Sequence, residues 1–386
     1  MNRLSLGIVS TSRKPDERRL PIHPEHLERI DPDLRARITL EQGYGERFGI
    51  ADTHLAPLVG WMASRADVLA ESDVVLLPKP QAADLADLHA GQVLWGWPHC
   101  VQDAEVTQLA IDNGLTLIAF EAMHHWRPGG GFGLHVFHKN NEMAGYCSVL
   151  HALALRGLTG DYGRRRSAVV IGFGATARGA VTALAAHGIT DVSVLTHREV
   201  AAVASPIHSA RMVHFAHELT APFLSHVDTE DGSVPLAAFL AEHDVVVNCT
   251  LQNTRAPRTY LDLADLAVFR PGSLVVDVSC DVGMGFSWAR PTTFSEPMVE
   301  VGDHIAYYAV DHSPSYLWNS ATWEISDALL PFLERVLDGP AAWEADVTLS
   351  RAIEVRDGHV VNDAILDFQR RDSVHPHGRH AVINKS

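Results

Sequence analysis

The stretch SAVVIGFGATARGA, residues 167–180, decides the fold. Residues 168–171 are an apolar strand candidate, and the small residues that follow give Gly172, Gly174 and Ala177 the spacing of a phosphate-binding turn. Gly172 permits a tight turn, Gly174 lets the backbone approach a pyrophosphate, and Ala177 allows close packing of the next helix. The amino end of that helix offers free N–H groups and positive potential to an anion. The bland alternative is a set of glycines that merely turns a strand into a helix. It is opposed by five more strand candidates that follow in the order a dinucleotide fold requires.

Working outward, those candidates are residues 192–195, 211–215, 245–249, 274–278 and 305–309. With helical patterns between them they predict a doubly wound Rossmann unit. A helix over residues 141–155 leads into it. Upstream, residues 4–9, 38–40, 74–77, 93–97 and 115–120 read as strands, and such Val- and Leu-rich runs suit a parallel sheet buried on both faces. RPGGGFG, residues 127–133, reads as a loop or hinge. Helices are expected near residues 321–337 and 362–368, and the His- and Arg-rich end, residues 373–386, as a tail or an arm against a neighbouring subunit.

With 386 residues, about two domains are expected. The chain is 46% hydrophobic and 20% charged, which is ordinary for a folded protein and excludes collagen-like or low-complexity readings. The formal net charge of −16 disfavours nucleic acid and anionic membrane surfaces as partners. The 23 His outnumber that excess, so the charge reverses sign if all are protonated. The four cysteines, Cys100, Cys147, Cys249 and Cys280, form no CxxC pair or disulfide framework, so a reducing, cytoplasmic setting is expected. No signal-peptide core and no apolar run of membrane-spanning length is seen.

The second strand of the nucleotide series ends in VSVLTHR, residues 192–198. An NAD-preferring site usually places a ribose-binding carboxylate here. Thr196 stands there instead, followed by His197 and Arg198, a trio suited to a 2′-phosphate, so NADP is expected with NAD as the alternative. Thr176, Cys249 and Thr250 complete the expected cofactor-binding set. Arg198 as an ordinary solvated charge is the competing reading.

Four further residues emerge where apolar strands end, the edge at which open α/β sheets hold ligands. Lys79 sits between Pro78 and Pro80, whose rings stiffen the segment. His99 follows VLWGWP and is suited to proton exchange near neutral pH. Asp281 follows VVDVSC. Arg19, with Arg18 in PDERRLPIHP, can grip a carboxylate in a bidentate fork. Each has a plain alternative: a solvated Lys79, a structural His99, a helix-capping Asp281, an ion-paired Arg19.

The ordered set ERRLPIHP, PKP at Lys79, WPH at His99, IAFEAM from Ile118, NNEMAGY from Asn140, the glycine motif and VDVSCDVG resembles the alanine dehydrogenase and transhydrogenase superfamily over residues 1 to about 340. Within it, AVDHSPS from Ala309, RPTTF from Arg290, THR at Thr196 and the ARGA after the glycines are more similar to N5-(carboxyethyl)ornithine synthases than to alanine dehydrogenases. The resemblance implies a discontinuous, flavodoxin-like catalytic domain of residues 1–138 and 313–372, a Rossmann domain of residues 139–312, a cleft between them, and a homo-oligomer. It also implies that Arg19 and Lys79 bind the carboxylate and carbonyl of a 2-oxo acid, that His99 is the acid and base, and that Asp281 orients the nicotinamide and the nitrogen centre. Two departures matter. Alanine dehydrogenases carry a ribose-binding Asp where Thr196 stands, and an Asn-Met-Pro-like segment where this chain has Asp311, His312, Ser313 and Pro314.

His124, His125, His135 and His138 raise a zinc site, but no cysteine accompanies them and the hydride chemistry needs no metal, so none is expected. Arg164, Arg165 and Arg166 read as a solvated turn. The function expected is NADP-dependent joining of an amino acid's amine to a 2-oxo acid through an imine, with small molecules as partners. The rivals are an alanine or other amino-acid dehydrogenase using ammonia, and a dinucleotide-binding sensor without catalysis, which would have no use for Arg19, Lys79, His99 and Asp281 together.

Overall fold

A computed structural model describes residues 3–10, 12–131, 133–197, 209–218, 224–252 and 256–372. The chain splits into two compact units, Met1–His138 with Trp318–Ser386, and Lys139–Leu317. The expected tail, residues 373–386, and Arg198 lie outside the described residues.

The first unit is built on six parallel strands: β1 (Leu6–Ile8), β2 (Ile38–Glu41), β3 (Trp61–Ala63), β4 (Val74–Leu76), β5 (Val93–Gly96) and β6 (Thr116–Ala119). Their order is β3-β2-β1-β4-β5-β6. This 3-2-1-4-5-6 order is that of a dinucleotide fold, not the 2-1-3-4-5 order of the flavodoxin-like sheet expected for this unit. Side chains alternate across the sheet, with Ile8, Leu76 and Trp95 in one core and Val75, Leu77 and Leu94 in the other. Burial on both faces, about 1.5–3 kcal/mol for each large apolar side chain, is what makes unbroken Val and Leu runs read as strands here.

Beyond β6 the short strands β7 (His124–His125) and β8 (Leu134–His135) pair antiparallel. The Gly-rich loop expected at residues 127–133 joins them. It is tied down by Arg351, which stacks over Trp126 at 4.2 Å and donates to the Gly130 carbonyl at 3.1 Å.

The second unit contains β9 (Ser167–Ile171), β10 (Asp191–Thr196), β11 (Arg211–His217), β12 (Ser225–Thr229), β13 (Gly232–Pro235), β14 (Val245–Asn248), β15 (Thr259–Leu261), β16 (Leu274–Asp277), β17 (Gly285–Phe286), β18 (Met298–Val301) and β19 (Ile305–Tyr308). Six of these form the parallel core in the order β11-β10-β9-β14-β16-β19. The expected plan of six strands with a helix in every connection is modified at both edges. The antiparallel hairpin β12–β13 extends β11, and β18 runs antiparallel beside β19.

The chain then returns to the first unit. The helix expected over residues 321–337 is two helices, Trp318–Leu329 and Leu333–Leu337, because Pro331 removes a donor and its ring crowds the preceding turn. β20 (Ile353–Arg356) pairs antiparallel with β6, and β21 (His359–Val360) closes the sheet edge.

Candidate active site

In the first unit three expected site residues leave the carboxyl ends of neighbouring strands. Arg19 lies beyond β1, Lys79 beyond β4 and His99 beyond β5, around the point where the strand order reverses. Trp97 N–H donates to the Pro78 carbonyl at 2.8 Å, and the Ser12 hydroxyl donates to the Lys79 carbonyl, so the Pro-Lys-Pro segment is stitched to both neighbours. Lys79 Nζ and His99 Nε2 stand 2.9 Å apart, within hydrogen-bonding distance, and both are half-buried.

His99 has a backbone φ of 50°, a left-handed conformation uncommon for a residue with a side chain. It is held there by its own N–H, which donates to Glu121 Oε1 at 2.7 Å, and by its carbonyl, which accepts from the N–H groups of Gln102 and Asp103. Burial and the nearby Glu354 keep the Glu121 carboxyl well above the ordinary carboxylate range, while the charge of Lys79 acts in the other direction.

Arg19 is 6% exposed. Its Nε donates to Glu17 Oε1 at 2.8 Å and its Nη2 to Glu17 Oε2 at 2.5 Å, and the guanidinium lies 5.3 Å from the Trp97 ring centre. Glu17 therefore takes the Nε–Nη2 edge of the guanidinium, one of the two edges a carboxylate can grip in bidentate fashion. Beside Arg19, at the ends of β1 and β2, Leu20, Glu41, Tyr44 and Arg47 help to line a recess of about 710 Å³.

In the second unit the glycine loop leaves β9. Gly172 has φ 103°, and a Cβ there would sit 2.9 Å from the Cys249 carbonyl oxygen, so this position requires glycine. Gly174 precedes helix Ala175–Ala186 without a side-chain cap, and a Cβ built on it meets nothing within 4 Å. That open space over an uncapped helix amino terminus fits the phosphates of a dinucleotide. Ala177 is fully buried. The helix packs very closely on helix His138–Leu155: a Cβ on Gly145 would lie 1.9 Å from the Thr176 carbonyl oxygen, and one on Gly179 1.7 Å from that of Glu142.

Thr196 ends β10 and is 2% exposed, whereas His197 is exposed, with its ring 3.9 Å from that of Phe215. Cys249 and Thr250 follow β14. Burial pushes the Cys249 thiol up, out of thiolate chemistry. Thr250 Oγ1 donates to Asn248 Oδ1 at 2.7 Å, and its carbonyl accepts from the Ser279 hydroxyl at 2.7 Å.

Asp281 belongs to this second unit, two turn residues beyond Ser279. The turn before it passes through Cys280 at φ 44° and is anchored by Asp277, which is fully buried. Asp277 accepts from Cys280 N–H at 3.1 Å, Asn248 Nδ2 at 2.9 Å and the Tyr307 hydroxyl at 2.8 Å. Burial pushes its carboxyl up to about 6 against the pull of those donors. Farther along, Asp311 Oδ1 lies 2.7 Å from His312 Nδ1.

The structure thus brings Lys79 and His99 into contact, places Arg19 against Trp97 beside them, and gathers Gly172, Gly174, Cys249 and Thr250 at one edge of the nucleotide sheet. Glu17, Trp97, Glu121, Asn248, Asp277 and Tyr307 were not singled out from the sequence. A lone acid in the apolar strings LIAFEA and LVVDV was the available signal for Glu121 and Asp277. In the His-rich segment His135 Nε2 meets the Glu121 carbonyl at 3.2 Å while its Nδ1 accepts from Phe137 N–H, and burial lowers it to about 4. Among the described residues no group of three or more metal-ligating side chains is arranged to hold an ion. No described helix is long and apolar enough to cross a membrane.

The family model described as Alanine dehydrogenase/PNT, N-terminal domain, matches residues 7–140, and its C-terminal counterpart matches residues 156–363. The chain belongs to this family of nicotinamide-dinucleotide oxidoreductases acting on carbon–nitrogen bonds. It is 24% identical over 373 residues to the alanine dehydrogenase of Mycobacterium tuberculosis, covering 92% of this chain and 95% of that one. It is 22% identical over 346 residues to the N(5)-(carboxyethyl)ornithine synthase of Clostridium botulinum, covering 84% and 92%. Among solved structures, an L-alanine dehydrogenase superposes with TM-score 0.71 at 19% identity over 95% of this chain and 99% of that one. A transhydrogenase from Sinorhizobium meliloti gives 0.68 at 22% over 92% and 99%.

Proposed function

We propose that the chain carries out the NADP-dependent reductive condensation of an amino acid's amine with a 2-oxo acid such as pyruvate, giving an N-(carboxyalkyl) amino acid. The observation that carries this reading is the 2.9 Å contact between Lys79 Nζ and His99 Nε2 at the ends of adjacent parallel strands. An amine and an imidazole in hydrogen-bond contact can hand a proton to a carbonyl oxygen and take it back, which imine formation and hydrolysis require.

In this mechanism Arg19 binds the oxo-acid carboxylate, with Glu17 fixing the plane of the guanidinium, and so sets which face of the carbonyl carbon is presented. Lys79 donates to the carbonyl oxygen as the amine nitrogen attacks the carbon, stabilising the charge that develops there. His99 delivers the proton with which that oxygen leaves as water. Asp281 orients the nitrogen centre and the nicotinamide ring, from a turn kept rigid by Asp277. Gly172, Gly174 and the helix amino end at Ala175 would hold the pyrophosphate, with Thr176, Thr196, His197, Cys249 and Thr250 around the rest of the nucleotide; Arg198 is assigned to it on the sequence alone. The bound nicotinamide supplies the hydride to the imine carbon. The recess beside Arg19 has room for the chain of the second substrate.

The test follows NADPH and NADH absorbance with pyruvate and a panel of ammonia, ornithine, lysine and other amino acids. Oxidation of NADPH that requires an amino acid is expected. Turnover with ammonia alone would make the chain an amino-acid dehydrogenase, and no turnover with any amine or oxo acid would favour a sensor.

A further inference from the structure

At the ends of β10 and β11, in the second unit, three groups able to carry positive charge surround one aromatic ring. The ring is Tyr260, 8% exposed. His197 lies 6.3 Å from it between ring centres and His217 5.7 Å. Arg258, two residues before Tyr260, is exposed at the side chain but fixed at the backbone. Its N–H donates to Gln252 Oε1 at 2.7 Å, and its carbonyl accepts from Gln252 Nε2 at 2.8 Å and from Gly285 N–H at 2.9 Å.

We infer that Arg258, His217 and His197 form a subsite for the 2′-phosphate of the dinucleotide's adenosine ribose, with Tyr260 as its wall. The inference rests on the NADP reading above and adds Arg258 and His217 to it. Position is the first argument. In a doubly wound sheet the ribose sits at the end of the second strand, and the residue there, Thr196, is buried, so among the described residues the groups beside it are His197 and those packed around it.

Charge is the second argument. Both imidazoles are kept below the usual histidine range, first by partial burial and then by the positive charge of Arg258, with His214 adding to the effect on His197. The nearby carboxylate Asp228 is bonded to His214 at 2.7 Å, and among the described residues no carboxylate forms an ion pair with Arg258, His197 or His217. Groups that repel one another in the free protein are relieved by an anion among them. His217 keeps its orientation through Ser225, whose hydroxyl lies 2.8 Å from its Nδ1, so its other nitrogen remains directed by the ring plane when it becomes charged. Binding a dianionic phosphate raises both imidazole pKa values, so protons are taken up with it.

The probes are 2′,5′-ADP and 5′-AMP, titrated calorimetrically into the full chain and into Arg258→Ala and His217→Asn, with melting temperature as the check on folding. Wild type is expected to bind 2′,5′-ADP at least about tenfold tighter than 5′-AMP, the effect of one good charge-assisted bond. Uptake of protons from buffer should accompany 2′,5′-ADP alone. Each variant should lose most of the preference while binding 5′-AMP as before. If wild type does not prefer 2′,5′-ADP, the NADP reading fails and takes this inference with it. If wild type prefers 2′,5′-ADP and folded variants keep that preference, the subsite assignment alone is overturned.

Discussion

Lys79 and His99 meet nitrogen to nitrogen at 2.9 Å although they leave different strands, and the backbone of His99 is bent into the left-handed region with Glu121 bonded to its N–H. In the proposed mechanism the pair acts as one proton-handling unit. Lys79→Met and His99→Gln should each lower turnover by roughly 10²–10⁴ and leave dinucleotide affinity unchanged. The double variant should be little worse than the poorer single one, because removing either member disables both. Undiminished turnover of His99→Gln in a steady-state assay would remove this histidine from the chemistry.

Gly174 and Gly145 separate binding from folding. A methyl on Gly174 enters open space that the proposed site gives to the phosphates, so Gly174→Ala should melt like wild type and bind the dinucleotide about tenfold or more weakly.

A methyl on Gly145 meets a backbone carbonyl at 1.9 Å that cannot swing away. Gly145→Ala should lose about 2 kcal/mol or more of stability in urea unfolding, as overpacked contacts do. Equal midpoints for the two variants would contradict the helix–helix approach described.

Asp277 carries a pH signature. Its folded carboxyl titrates at about 6, above the ordinary value of 3.8, so the folded state holds the proton more tightly than the unfolded state. The stability it contributes is present below about pH 4 and falls as pH rises to about 6, by roughly 1–3 kcal/mol. Asp277→Asn has no such titration, so the stability of wild type relative to this variant should fall across the interval. Parallel urea-midpoint curves from pH 4 to 7 would show that the carboxyl is not raised.

Glu17 is the buried partner of a buried cation, with side chains 1% and 4% exposed. Glu17→Ala removes both of its charge-assisted bonds from a buried guanidinium and should cost about 3 kcal/mol. A double replacement of Glu17 and Arg19 by apolar residues should recover part of that loss while abolishing oxo-acid binding. Thermal melts and substrate titration of both variants distinguish the two effects.

The strands of both parallel cores were legible as short apolar runs, down to the three residues 38–40 of β2, because only a doubly covered sheet needs such runs. β3 and β20 were not, since three or four residues at a sheet edge carry little pattern, and Trp61 of β3 is 51% exposed. Lys79 and His99 stood out because polar groups directly after buried strands are conspicuous. Glu17 and Glu354 were invisible: their partners lie two and 233 positions away, at Arg19 and Glu121, and only folding sets those distances. The break at Pro331 was readable in principle and was outweighed by the surrounding apolar periodicity.

β20 has a consequence for synthesis. It joins β6 across a separation of more than 200 residues, Ile353 facing Ile118. On the ribosome the second unit emerges whole before β20 exists, so the outer flank of β6 waits bare, a ready template for misjoining, through the making of everything from residue 139 to 352. The first part of the protein to be made is therefore among the last to be finished.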